Sequence, residues 1–334
     1  MRTDVRIAVT GAAGVVGKTL RTALAERKVP SEQLRFLDRA TDEAILSEYA
    51  GQATLIGALE PEAIADSDVV FLCGPTEESE TCLGWERRIE SICVDLSGAA
   101  LSRPGVPVVN LSVNGGALDR RPRLVAAPHP ISLAVTSVLL PIDRAAAIER
   151  CAGVVLRPVS DFGEEAVDEL VRQTVSLFNF ETIPKDVLGR QMAFNVVPQA
   201  AYDADHGQPA LNARLASEVD RIMGWKAPRA TMRVLVAPVF HGHVAQLHLT
   251  LGGAADAPAL RRALGATEGI VLPGRGRSVS SPVEAAAQDG ADMTVDLLGD
   301  GVDSRSCWIS IVGSRLTEGA AGNAVEIAGR LLSG

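Results

Sequence analysis

The chain has 334 residues, a length that predicts two domains of ordinary size rather than one. Hydrophobic residues make up 47% of it and charged residues 22%, so it can build a large core, and an intrinsically disordered chain is excluded. The formal net charge of -9 argues against a nucleic-acid partner, because phosphate binding needs a basic surface.

The first segment, VRIAVTGAAGVVGKTL, predicts a buried strand, a glycine-rich turn and a helix. Its glycines follow the spacing G-x-x-G-x-x-G, which suits a tight exit from the strand and a close approach of the backbone to a pyrophosphate. The first helical turn would then direct its N–H groups at the phosphates. The predicted dinucleotide contacts are Gly11, Ala13, Gly14, Val15, Val16 and Gly17.

The second predicted strand, LRFLD, ends at Asp38 and Arg39, where the adenosine ribose of a bound dinucleotide would lie. An acidic residue there favours the free 2′-hydroxyl of NAD, whereas an arginine accommodates the 2′-phosphate of NADP. Because the sequence has both, its spacing leaves the cofactor as NADP or NAD. Either residue could also be a solvated strand end.

Three further apolar segments, DSDVVFLCG, SICVDLSG and VPVVNLS, predict buried strands separated by helices or loops. This alternation is typical of a doubly wound sheet. Gly74 and Pro75 follow the first of these strands and are predicted to line the cofactor cleft at the carboxyl edge of the sheet. We therefore assign residues 1–128 to a dinucleotide-binding Rossmann domain of the α/β class.

Residues 129–316 show a looser order of strands and helices, which predicts an α+β domain with an extended mixed sheet. The helix GEEAVDELVRQTVSLF would place Val167, Leu170, Val171 and Phe178 on its apolar side. The long β-segment TMRVLVAPVFHGHVAQLHLTL is interrupted at His241-Gly242-His243. A closing helix occupies residues 317–334. The extended sheet is a natural dimer surface.

Five cysteines without a CxxC pair or regular spacing predict free thiols in a reducing compartment. The sequence MRTDV leads directly into a strand, so no secretory leader is expected. No apolar run approaches the roughly 18 residues that a membrane helix needs. These features predict a soluble, cytoplasmic protein.

Several motifs together resemble the aspartate-semialdehyde dehydrogenase family from end to end. In order, they are the glycine motif, VVNLSVN, APHPIS, VSDFGEEAVDEL, AFNVVPQ, NARLASEVDRIM, VAPVFHGH and LTEGAAGNAVEIA. The resemblance implies a Rossmann domain, a catalytic and dimerisation domain, and a homodimer. It also implies that the terminal helix packs back on the first domain, with Asn323 contacting the cofactor. The family reaction is the NADPH-dependent reductive dephosphorylation of an aspartyl phosphate in amino-acid biosynthesis.

The family chemistry needs a cysteine thiolate at a helix N-terminus, which displaces phosphate and forms a thioester. The family loop resembles N-P-N-C-S, whereas this chain has Ala127-Pro128-His129-Pro130-Ile131. Pro130 therefore stands at the nucleophile position. Proline suits the first turn of a helix but cannot attack a carbonyl.

Other positions implied by the resemblance also differ. Arg157 stands where the family has a glutamine that orients the acyl group, and Val236 where it has an arginine for the substrate carboxylate. Leu101 replaces a phosphate-binding arginine, although Arg103 follows two residues later. The acid/base histidine is retained as His243, and Arg214 stands in place of a phosphate-side lysine. The remaining substrate contacts would come from Arg214 and Arg103. The pattern resembles the Usg-type paralogues that lack the catalytic cysteine.

Two hypotheses follow. The first is a catalytically silent homologue that still binds a nicotinamide dinucleotide. The second is an active oxidoreductase, for example by direct hydride transfer with His243 as the proton donor and Arg157 as the polarising cation. Without a nucleophile nearby, the sequence favours the other interpretation, in which His243 is a residual histidine in a strand turn. A metal site is not expected, because His241 and His243 would share a strand face without a third ligand. Cys73 is the first place to look for a substitute nucleophile, although its apolar neighbours predict an inert thiol.

Overall fold

The computed structural model describes residues 5–39, 45–85, 91–201, 211–254, 256–274, 281–286, 293–299 and 304–333. The chain divides into two compact units. The first unit comprises Met1–Pro130 and Thr317–Gly334, and the second unit comprises Ile131–Leu316. Within the described residues, no helix is both long enough and apolar enough to cross a membrane.

The strands are β1 (Ile7–Thr10), β2 (Leu34–Asp38), β3 (Ile45–Tyr49), β4 (Gln52–Ala58), β5 (Val69–Leu72), β6 (Ile92–Asp95), β7 (Leu124–Ala126), β8 (Ile148–Arg157), β9 (Val197–Pro198), β10 (Ala230–Val236), β11 (His243–Leu251), β12 (Ile270–Val271), β13 (Met293–Gly299) and β14 (Ser306–Gly313). The α-helices are α1 (Val15–Glu26), α2 (Pro61–Ala65), α3 (Thr76–Gly84), α4 (Leu111–Asn114), α5 (Pro130–Ala146), α6 (Glu164–Asn179), α7 (Leu211–Met223), α8 (Ala257–Gly265), α9 (Pro282–Ala286) and α10 (Leu316–Ser333).

The first unit contains a seven-stranded sheet in the order β3-β4-β2-β1-β5-β6-β7. Its strand pairs are parallel except for the antiparallel β3–β4 pair. Strand β1 is buried along its whole length, because its apolar side chains face helices on both sides of the sheet. The strand order reverses between β1 and β5, and in sheets of this kind the ligand crevice lies at that reversal. Helix α10 packs on the same core through Val325 and Ala328.

Two local predictions for the first unit differ from the structure. The segment VPVVNLS is not a strand: Val108 forms only an isolated bridge to Ala126. The side chain of Asn110 accepts a hydrogen bond from the Ser112 backbone N–H, so it caps α4 and turns the chain into a helix. The β3–β4 hairpin was not predicted. Its turn at Ala50 and Gly51 has positive φ at both residues, the geometry of a tight two-residue hairpin.

The second unit contains a mixed seven-stranded sheet in the order β12-β13-β14-β11-β8-β10-β9. Helices α5, α7 and α8 contribute Val135, Leu215 and Leu260 to a core on one face of this sheet. The opposite face exposes Val154, Leu298 and Trp308, because side chains alternate between the two faces along each strand. The predicted fold class, a doubly wound domain followed by an α+β domain, is confirmed.

The predicted apolar side of helix α6 is partly wrong. Val171 and Phe178 are 44% and 71% exposed, whereas Glu169 and Gln173 are fully buried. Glu169 accepts hydrogen bonds from two backbone N–H groups of the following loop, and Gln173 both donates to and accepts from backbone groups of that loop. The buried face is polar because it anchors a loop whose backbone groups need partners.

Candidate functional site

The glycine-rich turn of the first unit leaves no room for side chains at two positions. Gly11 has a φ of +60°, and a Cβ there would overlap the Gly74 backbone at the end of β5. A Cβ on Gly17 would overlap the Gly11 carbonyl oxygen and would lie 2.7 Å from the Ala12 Cα. The loops after β1 and β5 therefore meet, and α1 packs tightly against β1. This is the cradle that a dinucleotide needs, because a pyrophosphate must approach bare backbone.

The start of α1 is open to an anion. Val15 is its first residue and Val16 follows, while the N-cap residue Gly14 has no side chain that could cap the first turn. The N–H groups of a first helical turn have no partners within the helix, so they are available to a phosphate group. The residues present in this loop fit a dinucleotide.

Asp38 lies at the end of β2 and is tied to the glycine-rich turn. Its Oδ2 accepts a hydrogen bond of 2.8 Å from the Ala13 N–H, and its Oδ1 accepts one of 2.8 Å from the Arg39 N–H. The side chain of Arg39 is exposed. The Glu78 carboxylate lies against the Cα of Gly74. Gly74 is half-buried, and Pro75, which follows it, is exposed.

Two further predicted site residues, Asn323 and Arg103, also belong to the first unit. Asn323 in α10 accepts a hydrogen bond of 3.0 Å from the Leu111 N–H and donates one of 2.9 Å to the Val109 carbonyl. The Asn323 amide thereby holds the backbone from Val109 to Leu111, where α4 begins. Arg103 follows a short 3-10 turn and is half-buried.

In the second unit, one carboxylate joins two of the predicted site residues. Arg157 ends β8, Asp161 lies in the 3-10 turn that follows, and His243 begins β11. The Asp161 Oδ2 accepts a hydrogen bond of 2.7 Å from the Arg157 Nε and lies 2.9 Å from the His243 Nε2. The three side chains are 15%, 14% and 6% exposed for Arg157, Asp161 and His243. They meet because β8 and β11 pair antiparallel, with Leu156 opposite Val244.

This cluster is electrostatically satisfied. Burial by itself raises the pKa of Asp161, but the charges and hydrogen bonds of His243 and Arg157 outweigh that effect and hold the pKa well below its usual range. An ionised carboxylate only accepts hydrogen bonds, so the His243 Nε2 is the donor in this pair. The Arg157 guanidinium also lies 4.3 Å from the centre of the Phe162 ring and donates to the Gln199 Oε1 at 3.3 Å.

A small apolar cavity lies beside His243. It is lined by Ile131, Ala134, Val135, Val155, His243, Ala245, Ile311 and Leu316, and its volume is about 10 Å³. A cavity of that size holds about one water molecule. The cluster therefore has histidine and arginine chemistry, but this cavity has no room for a substrate.

The other positions that the resemblance assigns to the substrate do not offer the groups that the family chemistry needs. Pro130 is the first residue of α5, as its fixed φ favours. Val236 is fully buried and pairs with Arg157 in the β8–β10 register. The Arg214 Nε donates a hydrogen bond of 2.8 Å to the Oε1 of Glu218, whose side chain is fully buried. The charge of Arg214 is therefore matched within its own helix.

The cysteines are poor candidates for a replacement nucleophile. All five are free, and Cys73 is buried; burial first, and the Asp95 charge second, raise the pKa of its thiol. Burial likewise raises the pKa of Cys82 to about 12, of Cys93 to about 11 and of Cys151 to about 12. A thiol with such a pKa is protonated near neutral pH and is a weak nucleophile.

The expected pairing of His241 and His243 on one strand face is wrong. Strand β11 begins at His243, so His241 lies outside it and is exposed, whereas His243 is 5% exposed. Across the described ranges, no group of three or more His, Cys, Asp or Glu residues is arranged to hold a metal ion.

Sequence reasoning missed Asp161 and Glu78. Asp161 belongs to the motif VSDFGEEAVDEL, and Glu78 follows Gly74 and Pro75, which were predicted to line the cofactor cleft. The available signal was an acidic residue four positions after Arg157 in the first case. In the second case it was a carboxylate three residues after Pro75, within a predicted cofactor loop.

A doubly wound unit with a bare glycine cradle, followed by a mixed-sheet unit with a buried His–Asp–Arg cluster, defines a two-domain protein whose first unit is of the dinucleotide-binding Rossmann class. Two family models match the chain. The model for the semialdehyde dehydrogenase NAD binding domain matches residues 6–120, and that for the semialdehyde dehydrogenase dimerisation domain matches residues 139–307. The chain belongs to the semialdehyde dehydrogenase family.

Curated relatives cover almost the whole chain. A USG-1 protein homolog of Pseudomonas aeruginosa is 30% identical over 335 residues, which cover 99% of this chain and 98% of the relative. An aspartate-semialdehyde dehydrogenase of Rickettsia conorii is 30% identical over 341 residues, which cover 98% of this chain and 97% of the relative. A solved structure of a probable aspartate-semialdehyde dehydrogenase from Pseudomonas aeruginosa superposes with a TM-score of 0.86 at 28% identity, covering 98% of both chains. The first unit is therefore an NAD(P)-binding domain.

Proposed function

We propose that this protein is a dinucleotide-binding, dimeric homologue of aspartate-semialdehyde dehydrogenase that does not reduce aspartyl phosphate. The observation that carries the proposal is Pro130 at the first position of α5, where the aligned family motif has its cysteine. A bound nicotinamide dinucleotide would supply hydride. The chain, however, has no thiolate at this helix to form the acyl thioester that hydride would reduce.

The state of the five cysteines supports the same reading. A substitute nucleophile would need a lowered pKa and access to solvent. Four of the cysteines are buried and one is half-buried, and burial raises the pKa wherever a shift is resolved. Their unpaired state also favours the reducing cytoplasm as the compartment of the protein.

The Asp161 cluster is the second support. A substrate carboxylate or phosphate is normally gripped by guanidinium groups that are free to form bidentate bonds. Here the Asp161 carboxylate already holds Arg157 at 2.7 Å, and Glu218 holds Arg214 at 2.8 Å. The chain's own carboxylates thus occupy both arginines, so an anionic substrate would have to displace them.

We assign dimerisation to the exposed face of the second-unit sheet. Val154 on β8, Leu298 on β13 and Trp308 on β14 are each more than two-fifths exposed on this face. Exposed apolar side chains on a sheet face need a cover, and a second copy related by a twofold axis supplies an identical surface. The match to a dimerisation domain model supports this assignment.

A second candidate function is an oxidoreductase that transfers hydride directly, without a thioester. The specific observation in its favour is the 2.9 Å pair between the His243 Nε2 and the Asp161 carboxylate. A buried carboxylate that orients an imidazole and stabilises its cationic form is a common acid/base arrangement, and Arg157 would polarise a carbonyl beside it.

One assay series separates the two candidates. The purified full chain is incubated with aspartate semialdehyde, inorganic phosphate and NADP or NAD, and reduced nucleotide is followed by absorbance. The Rickettsia conorii relative serves as the positive control. We expect no turnover and, by intact-mass spectrometry, no acyl adduct on the chain. Either an adduct or turnover would overturn the proposal.

The hydride-transfer candidate is tested with a panel of small aldehydes and 2-oxo acids in the presence of NADH. Activity that is lost in His243→Gln but kept in His241→Gln would support it, because only the first histidine is held by Asp161. No oxidation of NADH with any member of the panel would count against it.

A further inference from the structure

Glu78 places a carboxylate group in the dinucleotide crevice of the first unit. It lies in the first turn of α3, and its Oε1 sits against the Cα of Gly74. Gly74 in turn faces Gly11 across the point where the strand order reverses. The Glu78 Oε1 is buried, and within the described part of the chain it has no hydrogen-bond partner. A buried acceptor without a donor is costly, so a ligand donor at this place would be stabilising.

A second carboxylate faces the same crevice. Asp38 is fixed by the N–H groups of Ala13 and Arg39, which aim its side chain at the glycine-rich turn. Burial first, and the Asp38 charge second, raise the pKa of Glu78, whereas the Arg39 charge lowers it. Asp38 binds the loop after β1, Glu78 lies against the loop after β5, and these two loops meet at Gly11 and Gly74. The two carboxylates therefore form one surface, which we call the acidic edge.

Building on the proposed dinucleotide binding, we infer that the acidic edge, Asp38 and Glu78, selects NAD over NADP. The hydroxyl groups of an unphosphorylated adenosine ribose are donors, and they satisfy carboxylate acceptors. A 2′-phosphate carries up to two negative charges and only acceptor oxygens, so the same carboxylates repel it. This selectivity is the opposite of the NADPH dependence that the family resemblance implies.

Arg39 is the residue that would favour NADP, because an arginine at the end of this strand can accommodate the 2′-phosphate. Its backbone N–H is bound to Asp38, and its side chain is exposed at the end of β2. An exposed guanidinium is screened by water and salt, whereas the Glu78 Oε1 is buried in the crevice. The buried charge therefore decides the selectivity.

The test is isothermal titration calorimetry of the full chain with NADH and with NADPH at pH 7.5. We expect NADH to bind at least about tenfold more tightly, which corresponds to about 1.4 kcal/mol. Glu78→Gln keeps the shape of the side chain and removes its charge. It should narrow the ratio of the two dissociation constants at least about threefold, mainly by tightening NADPH binding. The matched control is Glu77→Gln, an exposed acid in the same helical turn, which should leave the ratio unchanged.

The outcomes separate this inference from the proposed function. If the wild-type chain binds NADPH as tightly as NADH or more tightly, dinucleotide binding stands and the selectivity inference is overturned. A Glu78→Gln variant that behaves like Glu77→Gln also overturns it. If neither nucleotide binds, the proposed function fails and the selectivity falls with it.

Discussion

Removing the Asp161 carboxylate should destabilise the second unit strongly. Its Oδ2 receives two charge-assisted hydrogen bonds, at 2.7 Å from Arg157 and at 2.9 Å from His243. All three side chains are at most 15% exposed, so water replaces the lost partner poorly. Truncating one member of a buried ion pair costs about 3–5 kcal/mol. Because Arg157 keeps its Phe162 and Gln199 contacts, we place Asp161→Ala at the lower end, about 3 kcal/mol.

The free energy of unfolding is measured by urea denaturation followed by tryptophan fluorescence and linear extrapolation. The control is an exposed ion pair of the same sheet, between Arg305 and Glu149, with an N–O distance of 3.1 Å and side chains 49% and 54% exposed. Glu149→Ala should cost less than about 1 kcal/mol. Equal losses for Asp161→Ala and Glu149→Ala, or a loss below about 1 kcal/mol for Asp161→Ala, would refute the reasoning.

The sign of the pH dependence follows from the lowered pKa of Asp161. In the unfolded chain an aspartate titrates near pH 3.9, so the ionised folded carboxylate contributes its stability above about pH 4 and loses it as the pH falls further. The difference in unfolding free energy between the wild type and Asp161→Asn should therefore be constant near neutrality and shrink in acid. A difference that grows as the pH falls below about 4 would contradict this sign.

Three further outcomes are expected. Gly17→Ala places a Cβ 2.7 Å from the Ala12 Cα, so it should destabilise the chain by about 2 kcal/mol and weaken dinucleotide binding. In the same urea titrations, Gly319→Ala in α10, where a Cβ meets nothing within 4 Å, should be neutral or stabilising by up to about 1 kcal/mol. Pro130→Cys should give a thiol at the N-terminus of α5 that alkylates rapidly. We still expect no oxidation of aspartate semialdehyde, because Asp161 engages His243; turnover would show that Pro130 alone prevents the reaction. The five cysteines should react with a thiol reagent at least about tenfold faster in urea than in buffer. Since burial raises their pKa in the folded state wherever a shift is resolved, stability should fall as the pH rises above about 8.5, which urea titrations at increasing pH would detect.

Local signals were sufficient for much of the first unit. Strand β2 was predicted with its observed limits, and the glycine-rich turn lies where the spacing required it. Such features depend on residues that are adjacent in sequence, such as a buried strand followed by glycines. The segment VPVVNLS failed because apolar residues alone predicted a strand, whereas the Asn110 side chain caps a helix there. Local capping chemistry outweighed β-propensity.

Helix α6 shows the limit of periodicity in the second unit. The 3.6-residue repeat correctly predicted a helix, but not which side is buried. Glu169 and Gln173 lie inside because a loop of irregular backbone packs on them and needs their oxygen and nitrogen atoms. The need to pair buried backbone groups is a property of the packed structure, and the sequence of the helix does not display it.

The sequence by itself determined that a dinucleotide cradle is present and that a proline occupies the start of α5, because both are properties of short contiguous segments. The tertiary structure decided what the remaining polar groups do. Asp161 and His243 are 82 positions apart, and only the antiparallel pairing of β8 with β11 brings them together. In the same way, Asp38 and Glu78 come to one crevice because β2 and β5 both flank β1. Charge pairing acts over a few ångströms in space, so the partners of these charged groups are known only once the chain is folded.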